Sequence, residues 1–206
     1  MSKGTSYVGY LSMAKESKRI RTYAREFNNE LELMYNSIIE MNKSWNGVRY
    51  NNFVNKFNTK IKNTLNGYTE FIVCKVPYTL ERIANVFANA DGVGNTTSAE
   101  LSNYKKLPII PLHDDNELKF IESDVIEQQE AFSKHLINAI CKVEEIDIAY
   151  KKILWKSDGA KLFYGHFIKR KNEIIRELNN LNDIFTKEMA NVRDDYNKSE
   201  KANKNI

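Results

Sequence analysis

The chain is short of proline, glycine and cysteine, and each shortage narrows what it can be. Three Pro and eight Gly in 206 residues are too few for a chain of short strands, whose corners depend on both residues. Cys74 and Cys141, the two cysteines, lack metal-ligand spacing and are expected to be core or near-core thiols rather than a disulfide framework. No apolar run reaches the roughly 18 residues that a membrane span needs. The opening "MSKGTSYVGYLSMAKESKR" also lacks the continuous apolar stretch and small-residue cleavage site of a secretory signal.

What is abundant is Lys, Glu, Asn, Leu and Ile, in a chain 42% hydrophobic and 28% charged. That is the balance of a globular, predominantly helical protein, and the expected class is all-α. The net charge is +4, but acids and bases are interspersed, so no basic face points to nucleic acid as a partner. Lys169, Arg170 and Lys171 form the densest basic cluster. Without a Gly-rich cradle or interleaved aromatics, it reads as a solvated helix face.

Apolar residues fall at Ile20, Ala24, Phe27, Leu31, Met34, Ile38 and Met41 and lead to Trp45, an alternation of four and three that marks a heptad seam. A helix carrying it from near the N-terminus to about residue 43 would run roughly 55 Å and needs a partner along its length. A second seam runs through Phe53, Phe57, Ile61, Leu65, Tyr68 and Ile72, then past Pro77 through Leu80, Ile83, Phe87 and Ala90. Pro77 is expected to kink or interrupt it and to push Val76 out of the α region. Residues 93–115 hold the other two prolines and read as a linker. Beyond them a third seam joins Val125, Phe132, Leu136, Ala139, Val143, Ile146, Tyr150 and Ile153. A fourth joins Phe163, Phe167, Ile174, Leu178, Leu181, Phe185, Met189, Val192 and Tyr196.

The halves match each other. The offset that superposes Gly47 on Gly159 carries every apolar residue of the first seam, from Ile20 to Met41, onto one from Phe132 to Ile153. A slightly shorter offset sets Trp45, Phe53 and Phe57 on Trp155, Phe163 and Phe167. The expected organisation is therefore a helical hairpin over 1–92, a linker over 93–115 and a second hairpin over 116–206, packed as a four-helix bundle. Gly47 supplies a turn conformation without a Cβ penalty, and Trp45 a large flat plug for the end of the seam.

An enzyme is not expected. His113, His135 and His166 are isolated, none has a Glu three residues before it as di-iron bundles require, and no nucleophile elbow or phosphate loop is present. No metal or other cofactor is called for.

"SWNGVRYNNF", with Trp45, Gly47 and Phe53, resembles the WXG family of small, early-secreted-antigen-like proteins exported by type VII secretion systems. The resemblance covers the first half. "LWKSDGAKLF" departs from the motif, since three residues separate Trp155 from Gly159, so the second half is similar as a degenerate unit. The resemblance implies a tandem member in which the second unit stands in for the usual dimer partner. It also implies an export signal of the form Tyr-x-x-x-Asp/Glu after the second helix. Of the eleven tyrosines only Tyr196 has an acid four residues on, Glu200, and Phe87 with Asp91 is the degenerate counterpart in the first half. The implied function is that of a non-enzymatic substrate or accessory partner of a type VII system. Such a protein is made in a bacterial cytoplasm and is exported folded, without a cleaved signal, to the medium or cell surface. Its partners would be the secretion ATPase and a helical secreted protein. Two alternatives are a targeting or chaperone-like module that escorts a toxin, and an unrelated cytosolic helical binding protein.

Overall fold

The unbroken heptad seam of the first forty residues folds as one helix, α1, over Tyr10–Met41, and every member from Ile20 to Met41 is buried. The computed structural model describes residues 7–113 and 118–203. Residues 1–6, 114–117 and 204–206, which fall in all three segments drawn from the sequence, lie outside the described residues. Among those described, the chain is all-α but for a two-residue strand pair, β1 (Tyr7–Val8) with β2 (Trp155–Lys156). After α1 come α2 (Val48–Lys56), α3 (Lys62–Thr69), α4 (Val76–Ala90), α5 (Glu122–Lys151) and α6 (Asp158–Asn203). No described helix is long and apolar enough to cross a membrane.

Helices α2, α3 and α4 form one continuous stretch joined by π-helical segments at Phe57–Ile61 and Glu70–Lys75. Each π segment admits an extra residue and rotates the following face by one position. The seam read past Pro77 is corrected accordingly: Leu80, Ala84 and Ala88 are buried, while Phe87 and Ala90 are exposed. Pro77 does not interrupt the stretch, and Val76 stays in the α region with φ −64° and ψ −58°. The wide π turn just before the proline relieves the clash that its ring would otherwise make with the preceding turn.

By contact the chain forms two compact units that cut across the sequence halves. The first comprises Met1–Asn29, Gly67–Lys105 and Asn138–Arg176, and the second Glu30–Asn66, Lys106–Ile137 and Glu177–Ile206. In the first unit Arg21 of α1 holds Glu81 of α4 through two bonds of 2.9 and 2.7 Å and also reaches Ser102 and the Glu100 carbonyl. Lys142 of α5 pairs with Glu26 of α1 at 2.9 Å. The Arg170 guanidinium of α6 lies over the Tyr68 ring of α3, and Tyr150 of α5 stacks on Phe167 of α6. In the second unit Tyr35 of α1 meets Phe57, Phe53 of α2 meets Phe185 of α6, Phe185 meets Phe132 of α5, and His135 of α5 bonds Glu30 of α1 at 2.7 Å.

The basic cluster is solvated only in part: Lys169 is exposed, but its two neighbours are engaged. Lys171 reaches the buried Asp147 at 2.7 Å, and Arg170 bonds Glu173 as well as covering Tyr68. Asp147 also accepts bonds from Lys151 and Tyr164, each at 3.0 Å. Burial pushes its carboxyl up, but the bonds from Lys171, Lys151 and Tyr164 outweigh that and hold it below the ordinary carboxylate range. Of the two thiols expected in or near the core, only Cys74 is buried, donating to the Ser102 carbonyl at 2.9 Å; Cys141 is corrected to an exposed position on α5, and both are free.

Candidate functional site

Trp45 follows the end of α1, and Gly47 is the N-cap of α2 with φ 106° and ψ −177°, a region open in practice to glycine alone. The indole is almost wholly enclosed, at 1% exposure, with Tyr50 edge-on at 5.3 Å and Phe53 at 6.4 Å. Tyr50 is itself fully buried, and that burial raises its phenol well above the ordinary range.

The segment just before α5 closes over the turn. Phe120 forms an antiparallel bridge with Trp45, Ile121 N–H donates to the Ser44 carbonyl at 2.8 Å, and Asn46 N–H donates to the Lys119 carbonyl at 3.0 Å. The Asn46 side-chain oxygen accepts from Lys119 N–H in return, and Ser44 Oγ donates to Asp124 at 2.9 Å. The turn is therefore held by backbone pairing as well as by its buried ring.

The last turns of α6 reach the same place. The Tyr196 ring packs on Phe120 at 4.9 Å, and Arg49 of α2 bonds Asp195 at 2.6 Å. A cleft of about 430 Å³ opens there, lined among others by Trp45, Gly47, Phe120, Val192, Tyr196 and Glu200, with Leu118. Tyr196 and Glu200 are both half-buried and one helical turn apart. Thus four residues singled out from sequence, in two motifs widely separated along the chain, line one cleft.

The other predicted residues stand elsewhere. Trp155 is half-buried in β2, whose partner strand β1 pairs Val8 with it, and Gly9 N–H donates to the Leu154 carbonyl at 2.6 Å. Gly159 is the second residue of α6 and has no unusual backbone angle; Ser157 caps that helix by accepting from Ala160 N–H at 3.0 Å. Phe87 is 37% exposed, and Asp91, at the C-cap of α4, accepts from the Tyr10 hydroxyl at 2.7 Å.

Phe120, Leu118 and Arg49 belong to the cleft and are not found by motif reading. A signal for Phe120 existed: the offset that carries Ile20 onto Phe132 also carries Val8 onto Phe120. Each of these precedes its helix by a residue or two and pairs with a tryptophan. Among the described residues no group of three His, Cys, Asp or Glu side chains is placed to hold a metal ion. Comparison with protein-family models, curated proteins and solved structures yields no match.

Proposed function

We propose that this chain is a tandem WXG-like protein, a substrate or accessory partner of a type VII secretion system, and that the cleft beside Trp45 is the surface by which the secretion ATPase recognises it. The observation that carries this reading is the convergence of the Trp45–Gly47 turn and the Tyr196–Glu200 pair on one cleft. A recognition element built from two chain segments exists only when the protein is folded, which suits export in the folded state. The fold proposed with it is two antiparallel hairpins in one four-helix bundle. In each compact unit, contacts run from the first helix to the second stretch, on to α6, to α5 and back to α1, the ring of neighbours that a bundle requires.

The test is release into culture supernatant by a host with an intact type VII system and by one lacking its ATPase. Release only from the intact host is expected, and equal release from both would sink the proposal. Tyr196→Ala and Glu200→Ala should then accumulate folded inside the cell.

A further inference from the structure

The residues between α4 and α5 include a stretch, "KLPIIPLH" over 106–113, whose burial repeats every three residues. Leu107 and Ile110 are buried and His113 is half-buried, while Pro108, Ile109, Pro111 and Leu112 are exposed. Three residues per turn is the period of polyproline II, which the two prolines favour by fixing φ. The inner ridge is clamped to the second helical stretch by asparagines. Asn51 both donates to the His113 carbonyl at 2.9 Å and accepts from its N–H at 3.0 Å. Asn58 does the same to Ile110, both bonds at 2.9 Å, and Asn66 accepts from Leu107 N–H at 3.0 Å.

The spacing of the clamps is matched to the strap. Two α-helical turns advance about 11 Å and one polyproline II turn about 9 Å, so asparagines two turns apart meet every third strap residue. The π segment Phe57–Ile61 supplies the one additional residue between Asn58 and Asn66 that keeps Asn66 on the same face. The clamps grip backbone alone, and they leave two ridges of the strap outward.

From this geometry we infer that the outward face of residues 106–112 is a docking site for a protein partner with an aromatic-lined, polyproline-binding groove rimmed by acidic residues. Pro108 and Pro111 form a Pro-x-x-Pro ridge one turn apart, the pattern that such grooves take, and the exposed Ile109 and Leu112 stand on the ridge beside it. Ile109 is 70% exposed and Leu112 49%. A single exposed aliphatic residue is ordinary, but here two stand in register beside prolines, on a strap anchored through backbone groups of Leu107, Ile110 and His113 and through the Pro108 carbonyl, which accepts from the Tyr35 hydroxyl at 3.1 Å. The exposed Lys106 leads the ridge and supplies the charge complement to the acidic rim. Because the asparagine clamps already hold the strap's backbone in place, the ordering entropy that a free peptide loses on binding is largely removed. The surface shares no residue with the cleft beside Trp45, so this inference stands or falls apart from the export reading.

The test titrates the isotope-labelled full chain with purified SH3 and WW domains as aromatic-grooved probes, followed by NMR. Saturable shifts are expected at Ile109, Leu112 and the proline rings with at least one probe, with the Leu107 and Ile110 amides still protected from exchange. Ile109→Ser with Leu112→Ser, which keeps both prolines, should weaken binding about tenfold or more, and Lys106→Glu should weaken it and flatten its salt dependence. Pro108→Ala with Pro111→Ala should do likewise, with an unchanged melting curve showing that the strap remains docked. Silence from both probes would overturn the inference, as would binding that strips protection from Leu107 and Ile110. Binding to phosphatidylglycerol vesicles that Ile109→Ser abolishes, with both domains silent, would assign the ridge to a membrane surface instead.

Discussion

The two tryptophan turns solve one problem with different parts. At the first, Trp45 is enclosed, Gly47 takes a backbone conformation closed to other residues, and Phe120 bridges the indole's own backbone. At the second, Trp155 is half-buried, Gly159 is ordinary helix, and a serine cap with a two-residue strand pair does the holding. The neighbouring acids differ too: Glu200 lines a cleft with Trp45, whereas Asp91 is engaged by Tyr10. The two turns thus follow seams of like apolar spacing, and the special turn chemistry stands at the first alone.

The largest effect that sharpens this contrast is truncation of the two indoles. Trp45→Ala removes a fully enclosed ring and should cost about 3 to 5 kcal/mol, while Trp155→Ala, at a ring only partly buried, should cost no more than about 2 kcal/mol. Chemical denaturation of both variants measures this, and equal losses would erase the difference drawn between the turns.

Next come the glycines. Gly47→Ala forces a Cβ into a conformation that only glycine adopts readily and should cost about 1 to 3 kcal/mol. Gly159→Ala meets Ser157 and Trp155 at 3.6 and 3.7 Å, ordinary contact distances, and on a helix should gain up to about 1 kcal/mol. Opposite signs in the two melting curves are the expected result.

Acid should separate the turns as well. The Asp147 carboxyl is held low by Lys171, Lys151 and Tyr164, so its contribution is complete above the ordinary Asp value of about 4 and is lost as pH falls through the lower folded one. Tyr164 stacks on Tyr150, and Tyr150 on Phe163, which faces Trp155. Below about pH 4, the fluorescence of Trp155 in a Trp45→Phe background should respond before that of Trp45 in a Trp155→Phe background. Asp147→Asn should remove the difference.

Much of this was legible in spacing alone. The seams of α1 and α5 are buried at every position read, because an uninterrupted helix conveys its period directly to its face. The second stretch was legible only to Ile72, since the π segment Glu70–Lys75 adds a residue that leaves no mark in composition; Phe87 was thereby placed on a face it does not occupy. At the cleft, Trp45, Gly47, Tyr196 and Glu200 could be named singly, but their meeting depends on where α6 ends relative to the first turn, a tertiary fact. The asparagine clamps went unread because an Asn on a helix looks like solvated surface until the chain lying against it is known.

The smallest stability effect concerns Glu200, and its smallness is what makes it informative. Glu200 lies three residues before the end of α6, half-buried at the cleft rim, where removing a side chain near a helix end costs within about 0.5 kcal/mol. Glu200→Ala should therefore melt with the parent protein. Asp91→Ala, which deletes the acceptor of the Tyr10 hydroxyl, should also be mild. If the cleft is the recognition surface, release into the medium falls sharply for Glu200→Ala and stays at the parent level for Asp91→Ala, two acids of similar stability cost and opposite consequence. If the two variants are released alike, the difference between the turns is one of packing only, and the cleft beside Trp45 is a gap between helices.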